Sequence, residues 1–168
     1  MTTLHPKPQL LVEPQWLAAH LDDPKVHVID CTVHMTAQPV GASIVNSARP
    51  DYLNAHIPGA HYAHMVDDLS DPDGPFPYAL ASVEHIAGLL RSFGVNDGDT
   101  IVLYGAAWPQ VVTRAWWVFT ISGAKDVRIL NGGWQGWLKA GLPVTDKLPN
   151  PATGDFKGRR VDDRPYGG

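Results

Sequence analysis

The pattern of apolar and polar residues predicts strands that alternate with helices. Residues 26–30 alternate as a half-buried strand does, and residues 100–104 form a continuous apolar run, typical of a strand covered on both faces. Apolar residues at helical spacing over 82–93 predict a helix with Ser82 as its N-cap and Gly94 as its C-terminal stop. The chain is therefore expected to be an α/β protein.

Weaker signals predict the other elements: a helix over 14–21, helical turns from residue 50, a short strand near 60–63, a helix over 110–122, a strand over 127–130 and a helix over 133–141. Residues 32–48 and 68–82 are rich in turn-forming residues and lack a period, so loops are expected there. From residue 144 onward, Pro, Gly and charged residues dominate, which favours a linker over a part of the core.

Alternating strands and helices imply a mostly parallel sheet with helices on both faces. Ligands of such folds bind beyond the carboxyl ends of the strands. The loops after Asp30, Tyr104 and Leu130 are expected to converge there. The second of these loops, residues 105–109, reads Gly-Ala-Ala-Trp-Pro and carries no nucleophile, base or metal ligand.

Composition narrows the class of protein and of partner. The 168 residues are 44% hydrophobic and 18% charged, as expected for one globular domain, and the net charge of −4 argues against nucleic acid or an anionic membrane as a partner. No apolar stretch approaches a membrane span, and the first residues do not resemble a secretory signal. Cys31, the single cysteine, cannot form an intrachain disulfide, so a cytoplasmic location is expected.

Several segments over residues 11–143 resemble the rhodanese (thiosulfate sulfurtransferase) family. They are VIDCT at 28–32, RPDYLNAHIPGA at 49–60 and NGGWQGWLKAGLPV at 131–144. DLSDP at 68–72 and RAWW at 114–117 resemble the first half of two-domain sulfurtransferases. The resemblance implies a rhodanese-like three-layer fold over residues 11–145, with 1–10 as an N-terminal extension and 146–168 as a linker or the start of a second domain.

The resemblance also implies a specific chemistry. In active members, the loop after the central strand begins with a cysteine whose thiolate is stabilised by backbone N–H groups and a helix N-terminus. That cysteine takes sulfur from thiosulfate or mercaptopyruvate and passes it to an acceptor, without a cofactor or metal. Gly105 occupies its position here. The rest of the equivalent loop is Ala106, Ala107, Trp108, Pro109 and Gln110. The isolated chain is expected to be inactive.

Two functions follow from the resemblance and remain open. The first is a non-catalytic domain that docks a catalytic rhodanese domain, in the same chain or a separate one, and shapes its cleft, so that a small sulfur donor binds only through that partner. The second is a stand-alone inactive module that binds or regulates another protein. A third possibility, an enzyme that uses Cys31, requires this thiol to be reactive.

Four residues are predicted in the cleft or the domain interface: Asp30, His64, Tyr78 and Arg114. His64 and Tyr78 stand where related first domains often carry aspartate and histidine, so a donor handled by them is expected to differ from the standard ones. Asp30 is expected to fix a loop by accepting N–H bonds. Arg114 is interpreted as a structural partner more readily than as an anion ligand.

The remaining residues of chemical interest have simpler interpretations. Cys31 is interpreted as a small buried hydrophobe rather than a nucleophile. Three histidines are interpreted as structural rather than metal ligands, four aspartates as a solvated turn rather than a calcium loop, and four tryptophans as packing residues. These are His56, His61 and His64; Asp67, Asp68, Asp71 and Asp73; and Trp116, Trp117, Trp134 and Trp137.

Overall fold

The computed structural model describes residues 10–75 and 78–161. In chain order its elements are β1 (Leu11–Val12), α1 (Pro14–His20), β2 (Val26–Asp30), β3 (Val33–Thr36), β4 (Ile44–Ser47), α2 (Arg49–Asn54), β5 (His61–Tyr62), α3 (Val83–Ser92), β6 (Thr100–Tyr104), α4 (Pro109–Ile121), β7 (Asp126–Leu130) and α5 (Gly133–Lys139). Residues 1–9 of the expected N-terminal extension and residues 162–168 of the expected linker lie outside the described residues.

A parallel sheet in the order β1-β7-β6-β2-β5 lies at the centre of the molecule. Because side chains alternate along a strand, β6 directs Ile101 and Leu103 to one face and Val102 and Tyr104 to the other. Helices α3 and α4 cover the first face, and α1, α2 and α5 cover the second. The predicted α/β fold with helices on both faces is confirmed.

Local signals place the ends of α3 where the sequence predicts them. The Ser82 side chain accepts a hydrogen bond from the His85 N–H at 3.1 Å. Gly94 has φ +82°, a conformation that glycine adopts without steric cost and other residues rarely adopt. None of the helices in the described part of the chain is long and apolar enough to cross a membrane.

The prediction of a loop over residues 32–48 is wrong, because β3 and β4 form an antiparallel hairpin within it. The hairpin packs against the core through Val33, which is 2% exposed, and through the partly buried Val45. The Tyr62 hydroxyl anchors it from β5, donating to the Thr32 carbonyl at 2.7 Å and accepting from the Ala48 N–H at 2.9 Å. This anchor joins residues far apart in sequence, so no local pattern predicts it.

The prediction that residues from 144 onward contribute nothing to the core is wrong at Phe156, and the segment around it is bonded to the domain. Thr145 and His56 exchange both backbone hydrogen bonds, at 2.8 and 2.9 Å. Phe156 is 3% exposed in the core, and the Arg91 guanidinium donates to its carbonyl at 2.8 Å. The Val161 N–H donates to the Ile121 carbonyl at 2.8 Å. One buried aromatic residue and several hydrogen bonds thus hold this polar segment on the domain.

Candidate functional site

Three loops meet at the carboxyl edge of the sheet, as the strand pattern predicts. The Ala106 N–H, after β6, donates to the Thr32 hydroxyl, after β2, at 3.0 Å. The Trp134 N–H, after β7, donates to the Gly105 carbonyl at 3.0 Å. The loop that carries Gly105 is therefore held from both sides.

Gly105 fits closely among its neighbours. A Cβ atom at this position would lie 2.9 Å from the Val112 Cγ2 atom, closer than the ordinary contact range that begins at 3.4 Å. Gly133, the first residue of α5, lets the chain after β7 pass close to Gly105, because a Cβ atom at Gly133 would lie 2.5 Å from the Gly105 carbonyl oxygen. The space beside the Gly105 α-carbon is thus partly filled by Val112.

A short hydrogen-bond relay connects the buried acid to the loop. Oδ1 of Asp30 accepts from the Thr32 N–H at 2.9 Å and from the Thr32 hydroxyl at 2.6 Å, and that hydroxyl accepts from the Ala106 N–H. Burial raises the pKa of Asp30, and the bonds from Thr32 oppose part of the rise. Asp30 and Thr32 position the loop. Thr32 was not identified from the sequence, although a Thr two residues after a strand-end Asp is a signal for such a turn.

Two positions of this loop offer no free backbone N–H to an anion. The Ala106 N–H is already bonded to Thr32, and Pro109, the first residue of α4, has no N–H. Ala107 adopts φ +62°, and the Val111 N–H is bonded to the Trp108 carbonyl. Gln110 follows on the exposed side of the first turn of α4. Ala106 and Pro109 therefore offer no free N–H to the kind of backbone cradle that stabilises a thiolate.

A cleft of about 310 Å³ lies beside this loop. The Asp30–Thr32 corner, the start of the hairpin, α2, the loop after β6 and the start of α5 contribute its walls. Its chemically distinctive side chains are Asp30, Asp51, His34, Trp108 and Trp134. Asp51 and His34 were not singled out from the sequence; they come together because α2 packs beside the β3–β4 hairpin, where the His34 Nε2 atom contacts an Asp51 carboxylate oxygen.

Comparison with known proteins identifies the family. The profile of the rhodanese-like domain matches residues 13–140. The chain belongs to the rhodanese family. It is 36% identical over 141 residues to the 3-mercaptopyruvate sulfurtransferase of Escherichia coli K12, covering 84% of this chain and 48% of that protein. It is 29% identical over 153 residues to the thiosulfate sulfurtransferase of Cricetulus griseus, covering 88% and 49%.

The fold agrees with that of a solved relative. The crystal structure of SseA, a 3-mercaptopyruvate sulfotransferase of Escherichia coli, superposes with a TM-score of 0.80 at 30% identity, covering 92% of this chain and 56% of that one. The rhodanese-like three-layer architecture implied by the sequence is therefore confirmed. The chain spans about half the length of the curated relatives it matches.

The one thiol of this rhodanese-like domain is inaccessible. Cys31 is 0% exposed within the core cluster that lies between the sheet and α3 and α4. Burial raises the pKa of the Cys31 thiol well above its ordinary value, and the charges of Asp30 and Asp68 raise it further. The thiolate is the nucleophilic form, so this environment opposes attack on a sulfur donor.

The other predicted interface residues divide between surface and interior. Tyr78 is 39% exposed with φ +60°, and its carbonyl accepts from the Arg114 Nη2 atom at 2.7 Å. The Arg114 guanidinium also lies 4.8 Å from the centroid of the Trp117 ring. His64 is only 6% exposed, with its Nδ1 atom 3.2 Å from the Asp67 N–H, and it does not line the cleft beside Gly105.

The histidines and aspartates considered for metal binding have other contacts. Both ring nitrogens of His56 lie within 3 Å of backbone carbonyls, those of Tyr52 and Lys147. The His61 ring stacks on Phe93 at 4.4 Å. Over residues 10–75 and 78–161, no group of three or more His, Cys, Asp or Glu side chains is arranged to hold a metal ion.

Proposed function

We propose that this chain is a non-catalytic rhodanese-like domain that docks a catalytic rhodanese domain and shapes the cleft in which a sulfur donor binds. The observation that carries the proposal is the loop after β6, which begins with Gly105, contains no nucleophile and has its Ala106 N–H bonded to Thr32. The resemblance implies that active members carry their reactive cysteine at the position of Gly105. The domain retains the fold and the convergent loops but lacks a nucleophile in this loop. Similarity to the 3-mercaptopyruvate and thiosulfate sulfurtransferases supports these two compounds as the donor class.

The surface near the carboxyl edge supports the docking role. Trp108 is 40% exposed, Ile44 of the hairpin 49% and Tyr78 39%. Ile44 and Tyr78 border one concavity of about 590 Å³, and His34 of the same hairpin borders the cleft together with Trp108. Large aromatic and apolar residues are enriched where proteins bind each other. We assign this docking face, made of Ile44, Tyr78, Trp108 and Arg114, to the catalytic partner.

A sulfurtransferase assay tests the proposal. The purified chain alone is expected to give no thiocyanate from mercaptopyruvate or thiosulfate with cyanide as acceptor. A reading frame that extends beyond residue 168 into a domain with a cysteine after its central strand is expected to encode the partner. The partner, mixed with this chain, is expected to be more active than the partner alone. Turnover by the chain alone would contradict the proposal.

Substitutions on the docking face provide the matched comparison. Trp108→Ala is expected to weaken association with the partner by more than about 1 kcal/mol, a common threshold for a central interface aromatic. Leu148→Ala removes a side chain that is 56% exposed on the C-terminal segment and is expected to leave association unchanged. Equal effects of the two substitutions would place the interface elsewhere.

A further inference from the structure

The 310 Å³ cleft bordered by Ala106, Ala107 and Trp108 has the charge of a cation site rather than of an anion site. Two carboxylates border it, Asp30 on β2 and Asp51 on α2, and none of its described lining residues is a lysine or arginine. One N–H of the loop, that of Ala106, is bonded to the Thr32 hydroxyl and is not free to bind an anion. Thiosulfate or mercaptopyruvate would therefore meet two carboxylates in this cleft and no lysine or arginine among its described lining residues.

The walls of the cleft add a second feature that suits an organic cation. Trp108 is 40% exposed, and the partly buried Trp134 is stacked on Tyr104 at 5.9 Å between ring centroids. Indole faces attract guanidinium and ammonium groups through the ring quadrupole. Asp30 is 6% exposed, and the two bonds from Thr32 to its Oδ1 atom fix the orientation of its carboxyl group. Carboxylates and indoles come from four different elements of the chain.

The size of the cleft limits the ligand. About 310 Å³ is at the lower end of the range for small-molecule sites and is enough for one small cationic head group. Asp51 is also paired with His34 at the rim, so an entering cation would replace or join that contact. Guanidinium has the advantage of a planar fork of donors that matches a carboxylate.

We propose that this cleft binds an organic cation, a guanidinium or alkylammonium group, between the carboxylates of Asp30 and Asp51 and the indoles of Trp108 and Trp134. The site lies on the side of the loop after β6 that faces α2 and the β3–β4 hairpin. The assignment does not depend on whether the chain docks a catalytic domain. The cation could reach the cleft as a free small molecule or as the side chain of another polypeptide.

Titration of the isotopically labelled chain, followed by NMR of the indole N–H signals, tests the proposal. N-acetyl-arginine amide is expected to shift the Trp108 and Trp134 signals, with weaker binding at high salt. N-acetyl-citrulline amide, its neutral isostere, and thiosulfate are expected to leave them unchanged. Equal binding of the citrulline compound, or shifts of these signals by thiosulfate, would overturn the assignment.

Substitutions test the charge and the source of the cation. Asp51→Asn is expected to weaken binding by about threefold to tenfold, the range for an ion contact aided by an aromatic wall, and Trp108→Ala similarly. Both side chains are exposed, so the fold is expected to survive. Asp73→Asn, an exposed acid outside the cleft, is the control and is expected to have no effect. Unchanged affinity in Asp51→Asn would refute the proposal.

A comparison of two ligands distinguishes the sources of the cation. Methylguanidinium binding as tightly as the peptide Ala-Arg-Ala would indicate a free cation, and tighter binding of the peptide would indicate the side chain of another polypeptide.

Discussion

Introducing a cysteine at position 105 should destabilise the domain without producing sulfur transfer. The new Cβ atom would lie 2.9 Å from the Val112 Cγ2 atom, 0.5 Å short of the 3.4 Å where ordinary contact begins. Val112 is stiff about its first side-chain torsion and 8% exposed, so it yields at the cost typical of an overpacked core, about 1–3 kcal/mol. Replacing glycine restricts the unfolded chain and offsets about 0.4–1 kcal/mol of that cost. At the midpoints of these two ranges the net loss expected is about 1.3 kcal/mol.

Urea denaturation of four variants measures this loss and identifies its cause. Gly105→Cys should be less stable than the parent chain, and Val112→Ala should be less damaging in the Gly105→Cys background than alone, because it removes the clashing methyl group. Gly88→Cys is the matched control, since a Cβ atom there meets only the Arg91 Nη2 atom at 3.7 Å. No loss in Gly105→Cys, no coupling with Val112, or efficient persulfide formation by Gly105→Cys would refute the reasoning.

Three further perturbations test the packing and the electrostatics. Thr32→Val leaves the Asp30 carboxylate and the Ala106 N–H without their bonds to the hydroxyl and should lower the free energy of unfolding, measured by urea denaturation, by about 1–3 kcal/mol. Thr32→Ser keeps a hydroxyl and should lower it less. Equal losses in the two variants would exclude the hydroxyl as the cause. Phe156→Ala should cost about 3–5 kcal/mol in the same assay because it empties a core position, and a loss below 1 kcal/mol would show that residues 145–161 are dispensable. Burial lowers the pKa of His61 from 6.5 to about 4, so the unfolded chain binds a proton at this ring more readily than the folded chain. The contribution of His61 to the free energy of unfolding is therefore complete above about pH 6.5 and declines as the pH falls toward 4. Because the His61 ring is only partly buried, this decline should be about 1–2 kcal/mol. His61→Phe keeps a ring against Phe93 and should abolish the decline. The same decline in that variant would show that another group causes it.

Features encoded locally were predictable from the sequence. The continuous apolar run of β6 indicated a central strand, and Ser82 and Gly94 marked the ends of α3 through capping chemistry that acts within a few residues. The convergence of loops after parallel strands followed from topology alone. For the same reason the empty loop that begins at Gly105 was located correctly at the edge of the sheet.

Features that depend on distant partners were not predictable. The β3–β4 hairpin is fixed by Tyr62, and the C-terminal segment by the burial of Phe156, in each case through contacts with elements far away in the chain. The role of Thr32 as the acceptor for the Ala106 N–H required knowing that two loops touch. Asp51 borders the cleft because α2 packs beside the hairpin, and no periodicity in the sequence predicts that contact.

Sulfur loading of the purified chain tests the central claim most directly. The chain is incubated with excess thiosulfate or mercaptopyruvate, freed of small molecules and weighed as an intact protein by mass spectrometry, with an active tandem sulfurtransferase treated in parallel. The mass of the chain should remain unchanged, because Gly105 has no sulfur to modify and the Cys31 thiol is buried in its protonated form. A gain of one sulfur atom that is removed by a thiol reductant would contradict the account.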